Sequence, residues 1–459
     1  MTTATQHLQG HLPFSHALMP QHQFRELPFF PRLLTNAPLT DLWDTDTQRL
    51  PAPLAKLRQQ ARTFAEQHLA PIAAQQDLAP HAAPGQLSPQ LEELLKVAGK
   101  AGWLSYFLPP PLGSLPYAAL RYPLIWSCSV IVEEFSRVCG GLMLLLSAHH
   151  LGCMPLILSG QPRMIFGPLR QIYRDNLNGQ PHLAAFAITE PQAGSDVEDS
   201  YGAAHYQPGV VATPVDGGYR LNGRKRFISG GDLAKSMTVF AALKGEDLSS
   251  WTCFLVSDAH QKVRIERTEL KMGMRASGAA ELAFDDVFVP DSHVVGGLRK
   301  GWVINRGTLN SSRIPVASMA VGFARAATEE ALHVARHYTL GGKTLINYQE
   351  VQMQLATMVA ETRAIRSLIW QEARHAWSPR QLHASLCKFQ ATDRAQVVCE
   401  MALDLMGDHA LLHENRIEKI YRDLRLTRIF EGTNQINRLS LIEDWQHQLL
   451  ASSANPTGV

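Results

Sequence analysis

The chain has 459 residues, 45% hydrophobic and 18% charged, enough for two or three domains with their own cores and too apolar for a disordered chain. Forty-three Lys and Arg against 41 Asp and Glu leave a net charge of +2, so no overall field recruits a polyanion and a nucleic-acid partner is disfavoured. The six cysteines form no CxxC pair, which argues against a zinc ribbon or disulfide framework and for reduced thiols in a cytoplasmic protein.

Residues 1–50 are rich in Pro, His and aromatic side chains without steady period and read as an irregular extension. The start lacks the basic and apolar regions of a secretory signal and the arginines of a transit peptide, which again points to the cytoplasm. Over 51–182 helices are expected: Leu and Ala recur at helical spacing from Pro53 to Ala70 and from Ser88 to Trp103, and the proline-rich stretch Leu108 to Pro116 breaks the pattern. The stretch Gly140 to Leu158 approaches the length of a membrane span. His149, His150 and Pro155 interrupt it, so a buried core helix ending near Pro155 is expected and no membrane span.

Between 183 and 298 the pattern changes to short β-favouring runs, Thr238 to Phe240, Cys253 to Val256 and Leu282 to Pro290, separated by Gly, Asp and Ser. Within Tyr219 to Ile228, the pair Asn222-Gly223 suits the positive φ angles of a tight turn and predicts a hairpin there. From 299 to 449 the helical period returns. Val351, Leu355, Met358, Ile365 and Ile369 fall on one stripe, as in an antiparallel bundle, and 450–459 form a small polar tail. The fold expected is an α+β multidomain protein: an N-terminal helical domain, a middle β-barrel or sandwich domain and a C-terminal helical bundle. Two histidine pairs, His149-His150 and His409 with His413, invite a metal reading, but adjacent helical positions point apart and no ligand set with metal spacing accompanies either pair, so no metal is expected.

Three short stretches carry chemistry: Ala185 to Val197, containing Thr189-Glu190-Pro191-Gln192-Ala193-Gly194-Ser195-Asp196; Phe227 to Gly231; and Phe430-Glu431-Gly432-Thr433-Asn434-Gln435-Ile436. Alone, the first is a turn between strands and the third a helix terminus. Together and in this order, with the Phe284 to Pro290 strand between them, they resemble the acyl-CoA dehydrogenase family from about Leu54 to Leu449. The resemblance implies an FAD-dependent oxidoreductase of fatty acid metabolism that converts acyl-CoA to trans-2-enoyl-CoA. Glu431 would take the α-proton and the β-hydrogen would pass as hydride to flavin N5, the enolate being stabilised through the Glu431 N–H. Burial against the flavin would make that carboxylate a better base.

By the same resemblance, Phe186, Ile188, Thr189, Gly194, Ser195, Phe227, Ser229, Gln349, Gly407, Thr433 and Gln435 are expected at the cofactor, and Ser195, Asn310, Arg313 and Gly432 at the substrate. Phe227 and Ser229 stand where relatives carry Trp and Thr, which keeps an aromatic wall and a hydroxyl donor. Relatives that place the base elsewhere carry Glu just before the Arg of an earlier helix; here that pair is Ser312-Arg313, leaving Glu431 as the base. Tyr338 to Gly342 and Asp404 to His409 depart from the family at positions where a neighbouring subunit meets FAD, and Asp408 near a phosphate would repel it. The implied partners are an acyl-CoA or acyl-carrier thioester, an electron-transfer flavoprotein or similar acceptor, and further copies of the chain as a dimer or tetramer. A non-catalytic, nucleic-acid-binding flavoprotein relative is the alternative from another class; the absence of Lys and Arg after residue 439 counts against it.

Overall fold

The computed structural model describes residues 28, 41–80, 83–195, 206 and 208–454. Most of the N-terminal extension, the end of the polar tail, and Asp196 and Val197 of the first motif lie outside the described residues. The last part of the stretch read as irregular is helical: α1 (Leu42–Gln48) is capped by Asp41, whose side chain accepts from Trp43 N at 2.9 Å. It docks by burying Trp43 and Asp46, and Asp46 meets Arg363 and Arg366 at 2.8 Å each. Aromatic and carboxylate partners separated by about 320 residues make this contact, which no local pattern announces.

The N-terminal helical layer comprises α2 (Ala52–Phe64), α3 (Ala70–Leu78), α4 (Pro89–Lys100), α5 (Leu124–Val138), α6 (Gly140–Leu158) and α7 (Arg170–Leu177). Ser88 caps α4 by accepting from Leu91 N, as Ser-Pro at a helix start favours. On α5, Glu133 and Glu134 are fully buried, and they pair with Arg58, Arg325 and Arg366 at 2.6–3.0 Å. This network joins the layer to the C-terminal bundle.

Helix α6 is long and apolar enough to cross a membrane, yet it is a core helix, with two thirds of its apolar window buried among helices and sheet. It does not stop near Pro155 as the sequence suggests but runs to Leu158. Proline in the last turn forfeits one hydrogen bond, which close packing offsets. Gly152 lets α6 touch the first strand: a Cβ there would lie 2.6 Å from the Ala184 carbonyl carbon.

Among the described residues the middle region contains eight strands: β1 (Ala184–Ala187), β2 (Val211–Val215), β3 (Gly218–Ser229), β4 (Ser236–Leu243), β5 (Thr252–Ser257), β6 (Arg264–Thr268), β7 (Ala279–Pro290) and β8 (Val294–Val295). They run in the order β6-β7-β3-β2-β4-β5-β8, with β1 beside β4, as a mixed sheet whose two halves join through the short parallel pairing of β2 with β4. The inner faces share one core of alternating residues, among them Val239, Phe254, Leu282 and Phe284. β4 is buried throughout: Met237, Val239 and Ala241 face this core while Phe240 packs with α6 and α7.

The hairpin expected at Asn222-Gly223 is not there. β3 passes straight through it, and the turn is made by Asp216-Gly217, with Val215 opposite Gly218 and Gly217 at φ +72°. Asn222-Gly223 forms a register shift against β7 instead; the Asn222 side chain accepts from Asp286 N at 2.9 Å, and a Cβ at Gly223 would sit 2.2 Å from the Gly209 carbonyl oxygen. The preference for positive φ was legible, but it serves a bulge as well as a turn.

The C-terminal bundle comprises α8 (Gly301–His337), α9 (Gln349–His375), α10 (Gln381–Met406), α11 (Ile417–Leu426) and α12 (Asn434–Ala454). Leu355, Met358, Ile365 and Ile369 are buried on α9, with Val351 partly so. After α8, Tyr338 packs edge-on against His409 with ring centroids 4.7 Å apart, bringing together the two stretches that depart from the family pattern.

Candidate active site

Helices and sheet enclose a mainly apolar cavity of about 1040 Å³, large for a single small ligand. One wall is the loop after β1. It folds back on itself through Glu190 N to Ala193 O at 2.9 Å and Ala193 N to Glu190 O at 3.2 Å, leaving Pro191 and Gln192 at its tip. Glu190 anchors it from beneath: its carboxylate meets Lys225 Nζ at 2.8 Å, accepts from Gly209 N and Val210 N, and is bonded by the Tyr206 hydroxyl. Burial alone would raise the pKa of Glu190, but Lys225, with the hydrogen bonds from Tyr206 and Gly209 N, outweighs it and holds the carboxyl below its usual range. Lys225 also donates to Ile188 O, and Arg226 N donates to Thr189 O, so β3 and the loop move as one piece. Phe186, Ile188, Thr189, Gly194 and Ser195 all line the cavity.

At the end of β3 the register slips between Lys225 and Ile228, and Phe227 adopts φ +58°, a left-handed conformation that a bulky residue takes only under constraint. Its ring reaches the cavity half-exposed beneath the Arg226 guanidinium, 4.7 Å from the ring centre, and Ser229 lines the same space.

Glu431 sits in a turn between α11 and α12, at φ +57° and followed by Gly432 at φ +82°. The turn is held from behind. Arg313 Nε donates to Glu431 O at 3.1 Å, Asn437 Nδ2 donates to Gly432 O and Thr433 O at 2.9 and 3.0 Å, and the buried Lys388 Nζ donates to Gly432 O at 2.6 Å. With its carbonyls drawn into the bundle, the turn presents its side chain to the cavity. There Ser312 Oγ donates to Glu431 Oε2 at 2.6 Å. Ser195 Oγ accepts from Thr433 N at 2.9 Å, which ties the first motif to the third across a separation of 238 residues.

Of the remaining residues expected at the site, Gly432 and Thr433 line the cavity. Gln349, Gly407, Gln435 and Asn310 lie outside its walls. Arg313 is buried behind the Glu431 turn, where it holds backbone and donates to Ser385 Oγ at 3.3 Å, so it positions that turn from behind. Sequence reasoning passed over Lys225, Lys388 and Asn437, which hold the two loops; their one local sign is that buried lysines need carboxylate or carbonyl partners. His149 and His150 serve packing and hydrogen bonding: His149 Nε2 bonds Leu104 O at 2.9 Å while its Nδ1 accepts from Ala184 N at 3.0 Å.

Comparison with known families matches residues 54–164, 185–287 and 299–445 to the N-terminal, middle and C-terminal domains of acyl-CoA dehydrogenase. The chain is 30% identical to the caffeyl-CoA reductase-Etf complex subunit CarC of Acetobacterium woodii over 392 residues, 83% of this chain and 95% of that protein. It is likewise 30% identical to the mitochondrial short-chain specific acyl-CoA dehydrogenase of Mus musculus over 394 residues, 85% of this chain and 89% of the mouse protein. The butyryl-CoA dehydrogenase structure from Megasphaera elsdenii superposes with a TM-score of 0.76 at 28% identity, covering 87% of this chain and 99% of that one. On sequence, fold and the three assembled motifs, this chain belongs to the acyl-CoA dehydrogenase family.

Proposed function

We propose that the protein catalyses FAD-dependent α,β-dehydrogenation of an acyl-CoA thioester with Glu431 as the base. One observation carries this reading: a carboxylate, fixed on a left-handed turn by Ser312 and by backbone clamps, faces the same cavity as the Thr189 and Phe227 loops. The walls suit the isoalloxazine of FAD. Thr189, Ser195, Ser229 and Thr433 offer neutral hydrogen-bonding groups, Phe227 offers a half-exposed aromatic face, and the other two carboxylates lining the cavity are already paired, Glu190 with Lys225 and Glu269 with Arg226 at 3.0 Å.

Bound FAD supplies the two-electron acceptor for the hydrogen leaving the β-carbon. The chain's own part is to hold the thioester and move a proton. The backbone clamps turn the carbonyls of residues 431–433 away from the cavity, so the Glu431 N–H is the group to bond the thioester oxygen as negative charge develops there. Glu431 then takes the α-proton, and the Ser312 hydroxyl keeps its carboxylate aimed. Gly432, Ser195 and Thr433 shape the end of the cavity next to the reacting carbons. Anaerobic mixing of the purified yellow protein with acyl-CoA thioesters tests this reading: bleaching of the flavin is expected, and a folded, FAD-loaded protein that no acyl-CoA bleaches refutes it.

The domain limits we favour are 51–182, 183–298 and 299–449, within which the three family segments fall. An electron-transfer flavoprotein is the acceptor we favour, supported by the Etf-complex subunit among the relatives. The exposed side chains of Leu439, Ile442, Trp445 and Leu449 repeat at helical spacing along α12 and support assembly with further copies as a dimer or tetramer. In such an assembly Gln349, Gly407 and Gln435 would meet a neighbour's FAD. All six cysteines are unpaired, which supports a reducing, cytoplasmic setting in fatty acid metabolism.

A further inference from the structure

The cavity continues beyond the Glu431 turn into a lobe between α5, α6 and the loop Trp103–Phe107, and this lobe contains hydrogen-bonding groups with nothing to bond. His150 Nε2 lies 2.7 Å from Trp103 O. A carbonyl only accepts, so Nε2 carries the proton, and burial keeps the ring neutral, its pKa pushed down to about 4. Nδ1 is therefore a bare lone pair, buried and without a partner. The Tyr106 hydroxyl is also buried and without a partner; Ser127 is near enough to bear on its titration, yet its own hydroxyl makes no bond of acceptable geometry either. Cys128 is the third polar group, a thiol that burial keeps protonated with its pKa pushed up to about 12.

Around these groups the lobe is aromatic and aliphatic. Phe107 stacks on His150 at 4.4 Å, and Trp103 packs on Tyr106 and edge-on to Phe135 at 6.3 and 5.3 Å. The lining from this side, including Leu124, Ile131 and Met143, contributes no side chain charged at neutral pH.

We propose that this lobe selects acyl groups ending in an aromatic ring that bears a hydroxyl, the ring packing among Trp103, Phe107 and Phe135 while its hydroxyl donates to His150 Nδ1 and accepts from Tyr106. The inference rests on the reading of the cavity as an acyl-thioester site. A buried donor or acceptor left unpaired is costly, and a pocket built to bond a hydroxyl rejects the analogue that lacks it far more strongly than an apolar pocket rejects a missing methylene. The α5, α6 and Trp103–Phe107 walls offer a terminal carboxylate no cation, the cavity's Arg226 and Lys271 coming from the sheet region, so desolvation would disfavour it there.

The test compares kcat/KM of the FAD-loaded enzyme for para-hydroxyphenylpropanoyl-CoA, phenylpropanoyl-CoA, hexanoyl-CoA and glutaryl-CoA. The hydroxylated substrate is expected to lead phenylpropanoyl-CoA by about 10- to 100-fold, the effect of one or two restored hydrogen bonds, with glutaryl-CoA last. In Tyr106→Phe and His150→Phe, checked for retained FAD and unchanged oligomeric mass, the ratio of hydroxylated to plain substrate should fall towards one. Equal or better turnover of phenylpropanoyl-CoA or hexanoyl-CoA overturns the inference while leaving the dehydrogenase reading intact, and so does a ratio that survives both substitutions. Failure of every thioester to reduce the flavin removes the reading of the site, and this inference with it.

Discussion

Replacing Glu431 by Gln separates proton transfer from architecture. The amide keeps an oxygen that can accept the 2.6 Å hydrogen bond from Ser312, and the backbone clamps from Arg313, Asn437 and Lys388 do not involve the side chain. Fold and FAD binding should therefore persist, with the left-handed turn unchanged. The cavity offers no substitute base, because Glu190 is tied to Lys225 at 2.8 Å and Glu269 to Arg226 at 3.0 Å. General-base catalysis is worth about 100- to 10,000-fold, so with no deputy the loss should reach or pass the upper end, about 5 kcal/mol in the barrier. Anaerobic stopped-flow measurement of flavin bleaching reads the step directly: acyl-CoA should still perturb the flavin spectrum on binding, without bleaching it. Bleaching at near wild-type rate would show that another group takes the proton. The contact with Ser312 adds a stricter test. Its hydroxyl touches the carboxylate, so Ser312→Glu in the Glu431→Gln background places a new carboxylate within reach of the same space, and part of the lost rate, about 10-fold or more, should return; no recovery would mean that the two positions do not address the same proton.

Three further outcomes are expected. Gly432→Ala puts a Cβ 2.8 Å from the Ile436 side chain and 3.1 Å from Arg313 at φ +82°, which should cost about 1–3 kcal/mol and displace Glu431, seen as a lowered unfolding midpoint with a fall in kcat larger than any change in KM. Glu134→Gln leaves Arg58 and Arg325 facing an uncharged group in the core and should destabilise by about 3–5 kcal/mol in denaturant titration. Burial tends to raise the pKa of Glu134, but Arg58, Arg325 and Arg62 overcome this and bring it down to about 2; its contribution is thus present above about pH 4.5 and lost as pH falls towards 2, and the Gln variant should show a flatter acid-stability curve across that window. Trp445→Glu combined with Leu449→Glu should yield a smaller assembly in light scattering while the monomer keeps its helical content; an unchanged mass would exclude this face of α12 as a subunit contact.

Much of this molecule follows from local chemistry. The succession of helices, strands and helices is written in hydrophobic period, because a helix and a strand bury different sets of positions whatever they pack against. The residues Thr189 to Ser195, Phe227, Ser229 and Glu431 could be nominated from their motifs, and the stripe Leu355, Met358, Ile365 and Ile369 named the buried face of α9 before any partner was known. What the tertiary structure alone decided are choices between conformations that the same residues permit. Asn222-Gly223 suits a turn or a bulge, and it became a bulge because Gly209 and Asp286 approach from neighbouring chain segments while Asp216-Gly217 closes the hairpin. Pro155 can end a helix or ride in its last turn, and the packing of α6 carried the helix past it. Arg313 can meet a substrate or hold a backbone, and Ser312 can be a vacant base position or a brace for Glu431; both outcomes depend on the α8 helix meeting the turn between α11 and α12 across about 118 residues. The extension hides α1 for the same reason, since Trp43 and Asp46 gain their stability from Arg325, Arg363 and Arg366 on distant helices. Local preference limits what each segment can be, and contacts between segments far apart in the chain select among the possibilities, because only there are buried polar groups paired and apolar faces covered.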